Sequence, residues 1–179
     1  MASKVIILNG PSCAGKSSIA QEICNQSNNQ FVHLQIDEFK KFLFTMITKD
    51  QVERTAGRAI CDNMVLNAAH NFLDNKLNVV IDTIFDGNNA TELAKNHINF
   101  FKNCQVLFVG IDCPLEERLR RFRRHNDNVL RKEKAIIDGS GYFALCKELY
   151  NLSFDSSEMG AAEIAGEILQ IKNSPKTTQ

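Results

Sequence analysis

The sequence has no excess of charge of either sign and no long hydrophobic run. Lysine and arginine together number 21, and so do aspartate and glutamate, which makes the formal net charge at pH 7 zero. This balance gives no indication of a nucleic-acid partner or a membrane partner. No apolar run approaches the ~20 residues that a membrane-spanning helix requires. The first residues lead directly into an apolar segment, so we also expect no secretory signal.

Closely spaced cysteine pairs of the CxxC type and the spacing of zinc ligands are also lacking. The six cysteines stand at positions 13, 24, 61, 104, 113 and 146, several of them in apolar segments where a thiol behaves as a small hydrophobic group. This pattern is typical of a reducing compartment, so we expect a cytoplasmic protein without a disulfide framework. Cys13 is a candidate redox-sensitive thiol because it precedes a predicted helix N-terminus, which lowers a thiol pKa. Alternatively, it only fills a loop.

The most informative segment is a glycine-rich loop between an apolar run and a helical pattern. Residues 10–17 read GPSCAGKS and match G-x-x-x-x-G-K-[ST] at every fixed position. In such a phosphate loop, backbone N–H groups surround phosphate oxygens, Lys16 adds a positive charge, and the Ser17 hydroxyl can ligate Mg²⁺. We therefore predict a site for ATP and Mg²⁺. The predicted nucleotide-binding residues of the loop are Gly10, Pro11, Ser12, Cys13, Ala14, Gly15, Lys16, Ser17 and Ser18.

Five strand-like segments alternate with helical patterns, which predicts an α/β fold. They cover residues 5–8, 31–36, 77–82, 105–111 and 150–154. Because ligands of open α/β sheets bind beyond the carboxyl ends of the strands, Asp37 and Asp82 are expected at the same rim as the phosphate loop. Asp82 is the predicted metal ligand, unless it only forms a turn at the strand end. Asp37 could act on the substrate, cap the following helix, or do both.

Two segments are predicted to surround the ligands. Residues 38–76 are predicted to form a helical substrate-side region, and the aromatic and aliphatic cluster within residues 39–47 could line a partly apolar acceptor pocket or belong to the core. Five arginines fall within residues 118–124, a density that favours phosphate binding over a solvated helix face. We predict a lid over residues 120–146, with Arg120 and Arg124 as its candidate phosphate ligands.

The chain is predicted to form one domain over residues 1–172. In its last part, Asp155, Ser156 and Ser157 are expected to cap a helix from residue 158 to about residue 171. Residues 173–179 are predicted to be a disordered tail.

Together these segments resemble the chloramphenicol phosphotransferase-like family of small P-loop kinases. The resemblance implies a three-layer P-loop fold with a five-stranded parallel sheet, ATP and Mg²⁺ as cofactors, and phosphoryl transfer to an alcohol on a small molecule. It implies that Asp37 receives the proton of the acceptor hydroxyl, that Lys16 and Ser17 contact phosphate and metal, and that residues 120–124 belong to the lid. The matching stretches are IILNGPSCAGKSS, QIDEF, VVIDTIFDG, FVGIDCPLEERLRRFRR and YNLSFDSSEMGAAEIAGEI.

Two segments depart from the family pattern, and other functions remain open. The Gly-Asp-Arg turn after the lid arginines is replaced by Asn126, Asp127 and Asn128, and Arg131 could supply the missing arginine. Residues 39–58 show little likeness to the antibiotic-binding segment. The acceptor could therefore be a nucleoside, nucleotide, sugar or nucleotide sugar, as for zeta-type toxins, or the protein could be a nucleotide-dependent switch without an acceptor. Basic residues that would suit a phosphate-bearing acceptor are Lys40, Lys41, Arg54 and Arg58.

Overall fold

Five parallel strands form the centre of the molecule. The computed structural model describes residues 3–43, 51–125, 133, 136–137 and 139–171. The strands pair in the order β2-β3-β1-β4-β5, and every pair is parallel. The predicted five-stranded parallel sheet is therefore confirmed. The strands are β1 Lys4–Asn9, β2 Phe31–Gln35, β3 Asn78–Thr83, β4 Gln105–Asp112 and β5 Leu152–Asp155.

Helical segments connect the strands. Parallel neighbours need such crossovers, because a tight turn cannot bring a chain back to the same end of the sheet. In the described part of the chain, no helix is long and apolar enough to cross a membrane. The α-helices are α1 Lys16–Gln26, α2 Ile36–Phe42, α3 Gln51–Asp74, α4 Ala90–Phe100, α5 Leu115–His125 and α6 Ala161–Gln170, and a 3-10 helix covers Gly139–Leu149.

The two faces of the sheet bury separate apolar clusters. Successive residues of a strand point to opposite faces, so Val5 and Ile7 belong to one cluster, and Ile6 and Leu8 belong to the other. Helices α3 and α4 and the 3-10 helix cover the first face, and α1 and α6 cover the second. This arrangement confirms the predicted three-layer fold and explains why the central strands are apolar throughout. Helix residues in the two clusters include Val65, Ala69, Ala94 and Cys146 on the first face and Ile19, Ile23, Ile164 and Ile168 on the second.

Two predicted helix caps are wrong. Helix α2 begins at Ile36 with Gln35 at the N-cap position, so Asp37 lies in the first turn of the helix, where its charge complements the helix dipole. Helix α6 begins at Ala161 with Gly160 as its N-cap. Asp155 instead forms a local turn, because its Oδ1 accepts hydrogen bonds from the backbone N–H (2.8 Å) and the hydroxyl (2.6 Å) of Ser157.

Several predictions concern residues outside the described ranges. These are part of the apolar cluster at residues 44–50, the lid positions 126–132 with Arg131, and the tail 173–179. Within the predicted lid range, the 3-10 helix is described, and its Cys146 is fully buried against the sheet. The extent of the lid stays a prediction.

Candidate active site

The phosphate loop follows β1 and ends where α1 begins. Gly15 is the N-cap of α1 and has a φ of 89°, and Cys13 also has a positive φ, 63°. A Cβ on Gly10 would collide with the backbone carbonyl of Ile111 in the neighbouring strand β4. Glycine is therefore required at position 10 by close backbone approach and favoured at position 15 by its left-handed conformation.

Lys16 lies across this loop. Its Nζ donates hydrogen bonds to the carbonyl oxygens of Gly10 (2.8 Å) and Pro11 (3.0 Å). Burial lowers the pKa of Lys16, while the negative charges of Asp82 and Asp37 act in the opposite direction. The ammonium group is thus held inside the loop, close enough to both carboxylates to interact with them electrostatically.

A polar cluster joins the start of α1 to the ends of β2 and β3. The Ser17 hydroxyl donates to Asp82 Oδ2 at 2.5 Å, and Gln35 Nε2 donates to the Ser17 oxygen at 3.0 Å. His33 Nε2 lies 3.7 Å from the same carboxylate oxygen. Burial alone would raise the pKa of Asp82, but the adjacent His33 imidazole, the Lys16 charge and the Ser17 hydrogen bond outweigh it. The net pKa of Asp82 is therefore below its ordinary value.

Sheet register explains why these groups meet. Asp82 stands opposite Leu8 of β1 and opposite Gln35 of β2, so three strands end side by side beneath the phosphate loop. Ser17 and Asp82 present oxygen donors, which Mg²⁺ prefers. Among the described residues, no cluster of three or more His, Cys, Asp or Glu side chains could hold a metal alone. The oxygens of Ser17 and Asp82 suit Mg²⁺, which proteins usually bind through one or two side chains together with substrate phosphates.

Asp37 lies at the same rim but outside this cluster. Its carboxylate is 65% exposed and forms an ion pair with Lys40 at 2.6 Å, one turn along α2. Phe39 and Phe42 follow on the same short helix with their rings 6.5 Å apart, and Phe42 is 76% exposed. Phe39 packs against the core, so α2 presents one exposed carboxylate and one exposed aromatic ring to solvent.

The five clustered arginines divide into different environments. Arg120 is half-exposed and forms an ion pair with Glu117, and Arg124 is exposed near the end of α5. Hydrogen bonds from Arg120 and Arg121 lower the pKa of Glu117 to about 2. Arg118 is buried and donates to backbone carbonyls. Arg121 contacts the phosphate loop itself: its Nη1 lies 3.5 Å from the Cys13 carbonyl oxygen.

The family model for chloramphenicol phosphotransferase-like proteins matches residues 3–173. The chain belongs to this family. None of the curated proteins matches the sequence. Together with the phosphate loop, membership of the chloramphenicol phosphotransferase-like family supports a P-loop kinase that binds a nucleotide.

Solved kinase structures share the fold of this family member. Shikimate kinase from Acinetobacter baumannii in complex with shikimate is 21% identical with a TM-score of 0.63, covering 94% of this chain and 92% of that one. APS kinase from Mycobacterium tuberculosis in complex with AMPPNP and APS is 17% identical with a TM-score of 0.65, covering 94% and 96%. A sugar kinase from Janibacter is 14% identical with a TM-score of 0.64, covering 93% and 92%. At these identities the likeness shows the fold alone.

The expected low pKa of Cys13 is not found in this family member. Burial raises the pKa of the thiol, and the positive charges of Lys16, Arg118 and Arg121 offset this effect only in part. A nearby helix N-terminus was expected to lower this pKa. The side chain is only partly buried, but even this partial burial has the larger effect. The structure therefore gives no support to an activated thiol at this position.

Sequence reasoning missed a buried charge network beside the rim. Arg58 Nε lies 3.2 Å from both carboxylate oxygens of Asp62, and Arg58 Nη2 donates to the Ile84 carbonyl at 2.5 Å. Asp86 lies 3.6 Å from Arg58 Nη1, and His97 Nε2 lies 3.9 Å from Asp62. This network joins α3 to the segment that follows β3. The spacing of Arg58 and Asp62, four residues apart on a helix, was the available signal.

A second missed network lies at the end of β1. The side-chain amide of Asn9 donates to the Tyr150 hydroxyl at 2.7 Å, and its oxygen accepts the backbone N–H of Phe85 at 2.9 Å. The Tyr150 hydroxyl in turn donates to the Phe143 carbonyl at 3.2 Å. Asn9, the residue directly before the phosphate loop, is therefore hydrogen-bonded both to the segment after β3 and to Tyr150, which in turn contacts the 3-10 helix. Gln35, also missed, could have been found by the same strand-end rule as Asp37.

Proposed function

We propose that the protein transfers the γ-phosphoryl group of ATP to a hydroxyl group of a small molecule, as a chloramphenicol 3-O-phosphotransferase does. The observation that carries this proposal is the convergence of Lys16, Ser17 and Asp82 at the sheet rim, with Asp37 in the first turn of α2 at that rim. The first three residues suit a metal-bound triphosphate, and the fourth suits an acceptor.

In the proposed reaction, the acceptor oxygen forms a bond to the γ-phosphorus while the bond from that phosphorus to the β-γ bridging oxygen breaks. Asp37 orients the acceptor hydroxyl and takes its proton. Lys16 and the lid arginines, with Arg120 and Arg124 as candidates, neutralise charge on the transferred group. Mg²⁺ held by Ser17 and Asp82 would supply further charge neutralisation on the phosphate oxygens. Most of the rate enhancement then comes from positioning and electrostatics.

Among the candidate basic residues, the structure describes the side chains of Lys40, Lys41 and Arg58 but not that of Arg54, and the pairing of these three favours an uncharged acceptor over a nucleotide or nucleotide sugar. Lys40 is paired with Asp37 and Lys41 with Glu38, each at 2.6 Å, and Arg58 is engaged by Asp62 and Asp86. A phosphate-bearing acceptor would have to compete with these carboxylates. The exposed ring of Phe42 suits an acceptor with an apolar part, such as an alcohol-bearing antibiotic. On this basis resistance to such an antibiotic is a candidate role.

The test is acceptor-dependent release of ADP, measured with a coupled assay across alcohol-bearing antibiotics including chloramphenicol, nucleosides and sugars, with ATP and GTP compared as donors. With an active acceptor, Asp37→Asn is expected to lower turnover by roughly 10²–10⁴-fold, the usual contribution of a general base, and to leave ATP affinity unchanged. Lys16→Ala is expected to abolish turnover. Glu38→Gln is the matched control, since Glu38 is the next residue and is also paired with a lysine on α2.

Near-normal turnover of Asp37→Asn would remove Asp37 from the mechanism. ATP hydrolysis that no acceptor stimulates would favour a nucleotide-dependent switch instead.

The six free thiols support the expectation of a reducing compartment such as the cytoplasm, where ATP is also present.

A further inference from the structure

The side of the phosphate loop on which the Cys13 and Ala14 carbonyls lie, here called its outer side, is held by two side chains from distant parts of the chain. The Ser156 hydroxyl donates to the Ala14 carbonyl at 2.7 Å. Arg121 Nη1 donates to the Ser156 hydroxyl at 3.1 Å and reaches the Cys13 carbonyl at 3.5 Å. A directed series of hydrogen bonds therefore runs from the guanidinium through the hydroxyl to the loop.

Both side chains are themselves fixed. Arg121 Nη2 donates to the Ser156 carbonyl at 2.7 Å, and Arg121 Nε donates to Glu117 at 2.9 Å. The Ser156 backbone N–H donates to the Asp112 carbonyl at 3.0 Å, which ties the segment after β5 to the end of β4. Since each nitrogen of the Arg121 guanidinium already donates a hydrogen bond to the protein, this side chain differs from the half-exposed Arg120.

We propose that Arg121 and Ser156 form a brace that holds the phosphate loop in its nucleotide-binding conformation, as positioning residues that do not contact the phosphates. In a trans peptide the C=O and N–H groups point in opposite directions. Holding the carbonyls of Cys13 and Ala14 on the outer side therefore directs the N–H groups of Ala14 and Gly15 inward. The Ala14 N–H donates to the Pro11 carbonyl across the loop, at 3.3 Å.

The loop conformation needs such support. Cys13 has a φ of 63°, which is unfavourable for a residue with a Cβ and persists only where the surroundings hold it. Gly15 relieves this cost at one position only. The brace acts on the carbonyl of Cys13 itself and on the carbonyl of the next residue. This inference rests on nucleotide binding by the proposed kinase, but the state of the brace can be measured without a nucleotide.

The first measurement is the alkylation rate of Cys13 in the nucleotide-free protein, followed by mass spectrometry of its peptide, with the half-buried Cys104 as an internal reference. The variants are Ser156→Ala and Arg121→Lys, which preserve the charge near the thiol. Both are expected to raise the Cys13 rate several-fold relative to Cys104, because a loosened loop exposes the thiol. Ser156→Thr keeps the hydroxyl and is expected to restore the rate of the unmodified protein.

The second measurement is the affinity for Mg²⁺ and ADP by calorimetry. Loss of one hydrogen bond that holds the loop is expected to weaken ADP about fivefold in either variant. The double variant is expected to bind ADP only slightly more weakly than the weaker-binding single variant, because the two side chains act in series. Ser27→Ala is the control, since the Ser27 hydroxyl also donates to a backbone carbonyl, that of Cys24 at 3.1 Å, but lies at the opposite end of α1 from the loop.

Weakened ADP binding with an unchanged Cys13 rate would overturn the brace, because it would indicate direct contact with the nucleotide. Unchanged values of both quantities would also overturn it. If the unmodified protein binds no ADP, the proposed function fails, while the alkylation rates still decide whether the brace holds the loop.

Discussion

Replacing Asp62 by asparagine should destabilise the protein much more than the same change at Asp74. Both carboxylates lie on α3 and each pairs with a basic side chain four residues earlier, Arg58 for Asp62 and His70 for Asp74. The difference is burial. The Asp62 side chain is 9% exposed, whereas that of Asp74 is 65% exposed. Asparagine preserves the volume at both positions and removes only the charge.

The expected magnitudes follow from the surroundings of Arg58. Removing one partner of a buried ion pair costs about 3–5 kcal/mol, because the other charge stays buried without its counter-ion. Arg58 keeps the Ile84 carbonyl and the nearby Asp86, and its side chain is 18% exposed. We therefore expect about 2–3 kcal/mol of unfolding free energy to be lost, below the usual range for a fully buried pair. An exposed pair contributes less than about 1 kcal/mol, and Asp74 lies near a helix C-terminus, where a negative charge is unfavourable.

Thermal and urea unfolding followed by circular dichroism measure both effects. For a chain of this size, the loss at Asp62 corresponds to a Tm lower by roughly 4–12 °C. Asp74→Asn is expected to change the Tm by less than about 2 °C. If the two variants unfold at the same temperature and the same urea concentration, the burial argument is wrong and the charge network carries no stability.

Two further predictions concern pH and the loop glycine. Burial lowers the pKa of His97 below its ordinary value of about 6.5, so in this pH range the unfolded state binds more protons than the folded state and stability falls as the pH is lowered. The urea midpoint should therefore drop between about pH 7.5 and pH 5.5, and His97→Gln should reduce that drop; equal drops would contradict the assignment. Gly10→Ala should abolish ADP binding in calorimetry, because its Cβ would overlap the Ile111 carbonyl. Gly166→Ala in α6 is the control, because a Cβ at this position makes only an ordinary contact. Equal ADP affinity in both variants would refute the steric argument.

The fold could be predicted because its signal is local. Each central strand is a short apolar run, and a polar or glycine-rich segment marks the next helix. The errors lie at element ends, where distant contacts decide the structure. Tyr150, predicted as strand, lies before β5, and its ring packs so closely on Gly110 that a Cβ there would come within 2.7 Å of it. No feature of the sequence around Tyr150 predicts its contact with Gly110.

The site could be predicted only as far as its motif extends. The contact between Ser17 and Asp82 could be predicted, because a phosphate loop and a carboxylate at a strand end both lie at the carboxyl rim of the sheet. The arginines of α5 could not be assigned in the same way. Neighbouring residues on a helix point about 100° apart, so Arg120 faces solvent while Arg121 faces the phosphate loop. Which direction is packed depends on the segment after β5, more than thirty residues away in the sequence.

Side-chain contacts hold the phosphate loop at its start and along its outer carbonyls. Asn9 anchors its start to Phe85 and Tyr150, and the Arg121–Ser156 brace holds its outer carbonyls. Asp37, the proposed acceptor carboxylate, in contrast lies on a seven-residue helix with an exposed side chain. In the proposed kinase, a rigid nucleotide side and a less constrained acceptor side would allow acceptor specificity to change without loss of the phosphate site. Substitutions in the frame around the loop should therefore alter nucleotide affinity, whereas substitutions on α2 should alter acceptor choice and turnover.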